Sequence, residues 1–111
     1  MAASSDTPSQ AQYQILVSLL SGEKHGYGIM LTVETLTDGK VKLGPGTLYG
    51  AIKRLIEQSW IEESGERPDP AMDDQRRRYY RITAFGKKVT AEETNRLQQV
   101  VGYATQYLFK V

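Results

Sequence analysis

The sequence predicts a mainly α-helical fold with one small β-hairpin, on three observations. Apolar residues recur at helical spacing in four separate stretches. A single aromatic, alternating run, Arg76-Arg77-Arg78-Tyr79-Tyr80-Arg81-Ile82, reads as a strand, with a weaker partner at Trp60-Ile61-Glu62-Glu63-Ser64. The polar segment between them, from Gly65 to Gln75, carries Pro68 and Pro70 and closes the two strands into a hairpin.

Composition sets the outer limits. At 111 residues the chain is long enough for one domain with a real core. The formal net charge is +1, so bulk electrostatics nominate no partner and any charge argument must be local. With no cysteine there are no disulfides, thiolate metal sites or cysteine nucleophiles, which suits a reducing cytoplasm. No stretch is long and apolar enough for a membrane span, and the first residues lack the basic and apolar regions of a signal peptide, so a soluble intracellular chain is expected. A single histidine and the lack of a clustered carboxylate pair argue against an enzyme, a metal site or a resident cofactor.

Taken in order, Met1 to Asp6 is a disordered lead-in. Thr7-Pro8-Ser9-Gln10 opens the first helix, with Thr7 as cap, Pro8 at the first helical position and Gln10 completing a capping box. Ile15, Leu16, Leu19 and Leu20 form its apolar face. His25-Gly26-Tyr27-Gly28 leads into the second helix, buried through Ile29, Met30, Val33 and Leu36, and Asp38-Gly39 stops it in a left-handed turn. His25 is read as structural and Tyr27 as a core plug. Val41-Lys42-Leu43 alternates and is expected to add a short strand.

The third helix follows Gly44-Pro45 and runs to about Gln58. Leu48, Ile52, Leu55 and Ile56 make its apolar stripe; Gly46, Thr47, Tyr49, Gly50, Lys53, Arg54 and Glu57 occupy the other side. Each helical glycine costs about 1 kcal/mol relative to alanine, so two of them on an outer face need a reason beyond helix stability. Close approach of backbone to a grooved partner supplies one. The glycine spacing matches neither the dinucleotide nor the Walker phosphate loop. Candidate DNA contacts on this helix are Gly46, Thr47, Tyr49, Gly50, Lys53 and Arg54, sized for a major groove. Arg76, Arg77 and Arg78 are the candidate contacts on the hairpin, through backbone or minor groove; the plainer alternative pairs the arginines with Asp69, Asp73 and Asp74 across the hairpin. Thr83 caps a final helix from Ala84 to near the end, with Val89, Leu97, Val100, Val101, Ala104 and Leu108 on one side.

Helices, a two-stranded wing and a closing helix are the order of a winged helix-turn-helix domain. Leu43-Gly44-Pro45-Gly46-Thr47-Leu48-Tyr49 with Ile52-Lys53-Arg54-Leu55, together with His25-Gly26-Tyr27-Gly28-Ile29 and Arg76 to Thr83, resembles the PadR family of bacterial transcriptional regulators over about Tyr13 to Leu97. The resemblance implies a homodimer that binds double-stranded operator DNA and usually represses. It also implies that residues 7–83 form the DNA-binding domain and 84–111 a C-terminal dimerisation helix, as in short members. Some members bind flat or phenolic molecules at the dimer interface, which makes Tyr103 and Tyr107 candidates for a small aromatic effector. The hairpin loop, with Arg67-Pro68-Asp69-Pro70-Ala71-Met72-Asp73-Asp74, is longer and more acidic than the family's wing. A winged-helix module that binds protein without specific DNA recognition is the alternative.

Overall fold

The computed structural model describes residues 7–64 and 78–109. The lead-in, the whole hairpin loop from Gly65 to Gln75, Arg76 and Arg77 lie outside the described residues. The elements are α1 (Gln10–Ser18), β1 (Lys24–His25), α2 (Gly26–Leu36), α3 (Pro45–Glu57), β2 (Ile61–Ser64), β3 (Tyr79–Ile82) and α4 (Ala84–Leu108). The described residues thus form four helices and one small three-stranded antiparallel sheet of order β1-β3-β2.

The cap of α1 is two residues later than the sequence suggests. Ser9 Oγ accepts from the Gln12 amide at 3.1 Å, and Gln12 Oε1 accepts from the Ser9 amide at 2.8 Å. Thr7/Gln10 and Ser9/Gln12 share the same capping-box spacing. The later register wins because it places Pro8 before the cap, where it is buried.

The sheet gains a third strand from an unexpected place. Val41-Lys42-Leu43 is not a strand: the Val41 amide donates to Thr37 Oγ1 at 3.0 Å, and Leu43 is buried in the core. The free edge of β3 is taken instead by Lys24 and His25, paired with Tyr80 and Tyr79. On the other edge, Ile61 faces Ile82, Glu62 faces Arg81 and Glu63 faces Tyr80.

The core is built by Ile15, Leu16 and Leu19 of α1, Ile29 and Val33 of α2, Leu48, Ile52 and Leu55 of α3, and Trp60, Ile61 and Tyr80 beside them. Leu20, Leu36 and Ile56, expected to be buried, are exposed at the ends of their stripes. α2 ends with Asp38 and Gly39 both at positive φ, the Gly39 amide reaching Glu34 O at 2.8 Å, as the sequence suggests. α3 ends in a Schellman turn: Ser59 stands at φ 64°, and the Trp60 amide donates to Leu55 O at 3.0 Å. Trp60 and Leu55 are both fully buried, which ties the end of α3 to the start of the sheet.

α4 starts on Thr83, whose hydroxyl accepts from the Gly86 amide at 2.9 Å, as expected from its capping side chain. Only its first part is packed: Gly86, Val89, Thr90 and Glu93 are buried, whereas Val100, Val101 and Leu108 are exposed in the single chain. α1 meets α4 where the Tyr13 hydroxyl and Thr94 Oγ1 lie 2.7 Å apart.

Near this seam Glu93 is almost completely covered and accepts a two-pronged pair from Arg96, Nε at 2.9 Å and Nη2 at 2.6 Å. The guanidinium holds the Glu93 carboxyl below its ordinary value of 4.5. In the unfolded chain the carboxyl takes up its proton first as pH falls. Stability from this pair is therefore present above about 4.5 and is lost as pH drops through the lower folded value. Urea unfolding of wild type and Arg96→Gln is expected to show a gap at pH 7 that closes in acid. A gap independent of pH would mean that the pair does not set the acid limb.

Candidate nucleic-acid interface

α3 begins at Pro45 without a side-chain cap, on Gly44 at φ −74°. That backbone angle is open to any residue, so Gly44 is not required by its conformation. Gly44, Gly46 and Gly50 likewise have no other atom within 4 Å of the place where a Cβ would stand. Neither backbone strain nor internal crowding accounts for any of the three. Gly46, Thr47, Tyr49, Gly50, Lys53 and Arg54 all lie on the exposed side, with Leu48, Ile52 and Leu55 buried behind them. Lys53 and Arg54 have no ion-pair partner among the described residues.

Tyr49 also packs within the fold. A Cβ on Gly26 would collide with its hydroxyl and the end of its ring, so Gly26 is the clearance that lets Tyr49 lie against the start of α2. The Tyr49 ring is still half exposed. His25 is the cap of α2, Nδ1 accepting from the Gly28 amide at 3.1 Å, and its ring meets Tyr79 edge-on at 5.3 Å. Its structural role is as expected. Tyr27 is not the core plug expected: it is 61% exposed, because Ile29 and Val33 of the same helix fill the core and turn Tyr27 outward.

The sheet presents its own charges to α3. Strand alternation puts Glu63, Tyr80 and Ile82 on one face, with Arg78 continuing it just before β3, and Glu62 with Arg81 on the other. The two described hairpin arginines pair with glutamates of β2: Arg78 Nη1 to Glu63 Oε2 at 3.0 Å and Arg81 Nε to Glu62 Oε2 at 2.8 Å. Asp69, Asp73 and Asp74, the partners in the plainer alternative, lie outside the described residues. A cleft of about 400 Å³ runs between α3 and the sheet, bounded by Tyr49, Lys53 and Glu57 on one wall and Glu63, Arg78 and Tyr80 on the other. Burial, then the Glu63 carboxylate, push the Tyr80 hydroxyl above its ordinary 10.0, so it is a neutral hydrogen-bonding group at the cleft floor. Glu63 went unremarked in the sequence; only strand register reveals it as Arg78's neighbour. Tyr103 and Tyr107 stand apart on the last turns of α4, rings 5.1 Å between centroids and both exposed.

The candidate surface is thus an outward, glycine-bearing helix with Lys53 and Arg54 unpaired among the described residues, beside a strand pair whose described arginines are matched by glutamates. The family model for the transcriptional regulator PadR-like family matches residues 15–92. The chain belongs to the PadR-like family of transcriptional regulators. PadR-like members are regulators and not enzymes, and they act by binding DNA. Two relatives are themselves uncharacterised. One is a 37.1 kDa protein of transposon TN4556 from Streptomyces fradiae, 30% identical over 85% of this chain, which spans only 25% of that protein. The other is protein X of Lysinibacillus sphaericus, 32% identical over 70% of this chain and 69% of its own length. Among solved structures, a transcriptional regulator from Clostridium thermocellum superposes with a TM-score of 0.72 at 26% identity, covering 88% of this chain and 89% of that one. A PadR family regulator from Clostridium difficile gives 0.72 at 22%, covering 90% and 99%. Bordetella bronchiseptica BpsR, whose DNA binding is regulated by 6-hydroxynicotinic acid, gives 0.71 at 20%, covering 94% and 70%. The last two likenesses concern the fold. No helix among the described residues is long and apolar enough to cross a membrane.

Proposed function

We propose that this PadR-like chain is a cytoplasmic repressor that binds operator DNA as a homodimer, with α3 reading the major groove and the hairpin gripping backbone. The carrying observation is the outer side of α3: two glycines, Gly46 and Gly50, that neither φ nor crowding demands, set beside Thr47, Tyr49, Lys53 and Arg54. A close-fitting external partner accounts for them, and family membership supplies its class. Gly46 and Thr47 offer backbone amides at the helix start, Tyr49 and Lys53 reach base edges or phosphates, and Arg76 to Arg78 add the wing contact. Residues 7–83 are the reading unit and 84–111 the dimerisation helix, in this proposal. Two reading heads on a two-fold axis would meet a pseudo-palindromic site about one duplex turn apart. An aromatic effector near Tyr103 and Tyr107 would release DNA only by favouring a dimer with another head spacing.

The test is a salt titration of duplex binding by wild type and Gly50→Ala. Wild-type affinity is expected to fall steeply with salt. Gly50→Ala should raise unfolding stability by about 0.5–1 kcal/mol through helix propensity. It should also weaken DNA binding by about five- to hundredfold, the range for forcing a methyl group into a packed contact. Opposite signs in one variant separate contact from folding. Salt-insensitive or absent binding would favour a protein-interaction module, and unchanged affinity in Gly50→Ala would remove α3's glycine side from the interface.

A further inference from the structure

The wing arginine that faces α3 is already occupied. Arg78 shares the cleft with Lys53 and Tyr49, yet its guanidinium is held by Glu63 at 3.0 Å, whereas Lys53 has no carboxylate partner among the described residues. The pair lies diagonally across β2 and β3, since Glu63 faces Tyr80 and Arg78 is two residues further along the same face. Both side chains are about half exposed, 62% and 46%, so water and an incoming anion reach them. A carboxylate and a phosphodiester offer a guanidinium similar oxygen acceptors. A second pair, Arg81 with the directly opposite Glu62, is on the other face and lies away from the cleft.

We propose that Glu63 is a built-in stand-in for a DNA phosphate, holding Arg78 in the free protein and surrendering it on binding, so that it lowers affinity for every duplex alike. This rests on the DNA-binding reading of α3 and the wing. Glu63 is thus a positioning and attenuating residue: it keeps Arg78 extended beside the cleft, at the cost of competing with the phosphate that Arg78 meets. The phosphate contact carries no base information, so the effect is uniform across sequences.

The experiment is a fluorescence-anisotropy salt titration on a mixed-sequence duplex with the full chain, using wild type, Glu63→Gln, Arg78→Ala, the double variant and Glu62→Gln. Far-UV circular dichroism checks that each is folded. Glu63→Gln should tighten binding by about two- to fivefold, the worth of an exposed ion pair. Arg78→Ala should flatten the slope of log affinity against log salt by about 0.9, one phosphate contact. In the Arg78→Ala background the Glu63→Gln gain should vanish, and Glu62→Gln should leave affinity unchanged. An equal gain without Arg78, or from Glu62→Gln, would show plain charge repulsion and overturn the proposal. So would no gain from Glu63→Gln, or an unaltered slope in Arg78→Ala. Wild type failing to bind with a salt slope would instead overturn the DNA-binding reading itself, a result distinct from all of these.

Discussion

Gly86→Ala is expected to destabilise the protein by about 3 kcal/mol or more, the upper range for overpacking a closed site. A Cβ at Gly86 would overlap the Trp60 carbonyl oxygen and approach Ile82 Cγ1 to 2.9 Å. The carbonyl cannot simply retreat. It accepts from the Thr83 amide at 3.0 Å; the Thr83 hydroxyl, which donates to Ser59 O at 2.7 Å and only secondarily reaches the Trp60 carbonyl at 3.1 Å, also caps α4 through the Gly86 amide. Trp60 is itself locked by its buried indole and by its amide bond to Leu55 O. One methyl group would therefore disturb the end of α3, the start of β2 and the cap of α4 together. Against a total stability of about 5–15 kcal/mol, the loss should move the urea midpoint far down or leave the chain unfolded. Gly50→Ala, with open space around it, should shift the midpoint the other way. A Gly86→Ala midpoint equal to wild type would mean that the α4 cap slides freely over Trp60.

The contrast between these two glycines shows what a single sequence can reveal. α3 was legible because Pro45, the Leu48-Ile52-Leu55 spacing and the glycine-bearing outer side are local features of one segment. The cap of α4 on Thr83 was legible for the same reason, whereas His25 was placed at the mouth of α2 without its capping bond being foreseen. Gly86 and Gly26 carried no such signal, since their need arises from Trp60 and Tyr49, distant in the chain. β1 has two residues, too few to show alternation, and exists only because β3 offers an edge. Val41 to Leu43 had the alternation but no edge to join. Tyr27 and Leu36 were misplaced because an aromatic or aliphatic residue beside a buried one looks the same in sequence on either side of a helix. The Glu63–Arg78 pair needed the register of β2 on β3, which composition does not encode.

The end of α4 gives the second large effect. α4 has 25 residues, a rod of about 37 Å, yet its buried positions stop at Glu93. Beyond it Val100, Val101, Tyr103, Tyr107, Leu108 and Phe109 are each more than half exposed in the single chain. An apolar surface of that extent on the final turns is what a subunit contact would cover, in keeping with the dimer proposed above. Truncation after Asn95 tests this poorly, because it also removes Arg96 and leaves the covered Glu93 carboxylate without its partner. Ending the chain after Gln98 keeps that pair and the Tyr13–Thr94 bond while deleting the exposed cluster. The shortened chain is expected to stay folded but sediment as a monomer. Its affinity for a two-site operator should fall by about a hundredfold or more, since the second reading head is no longer tethered to the first. A folded, stable dimer after that cut would place the interface on α1 or the sheet. A monomer with undiminished operator affinity would mean that one head reads DNA alone.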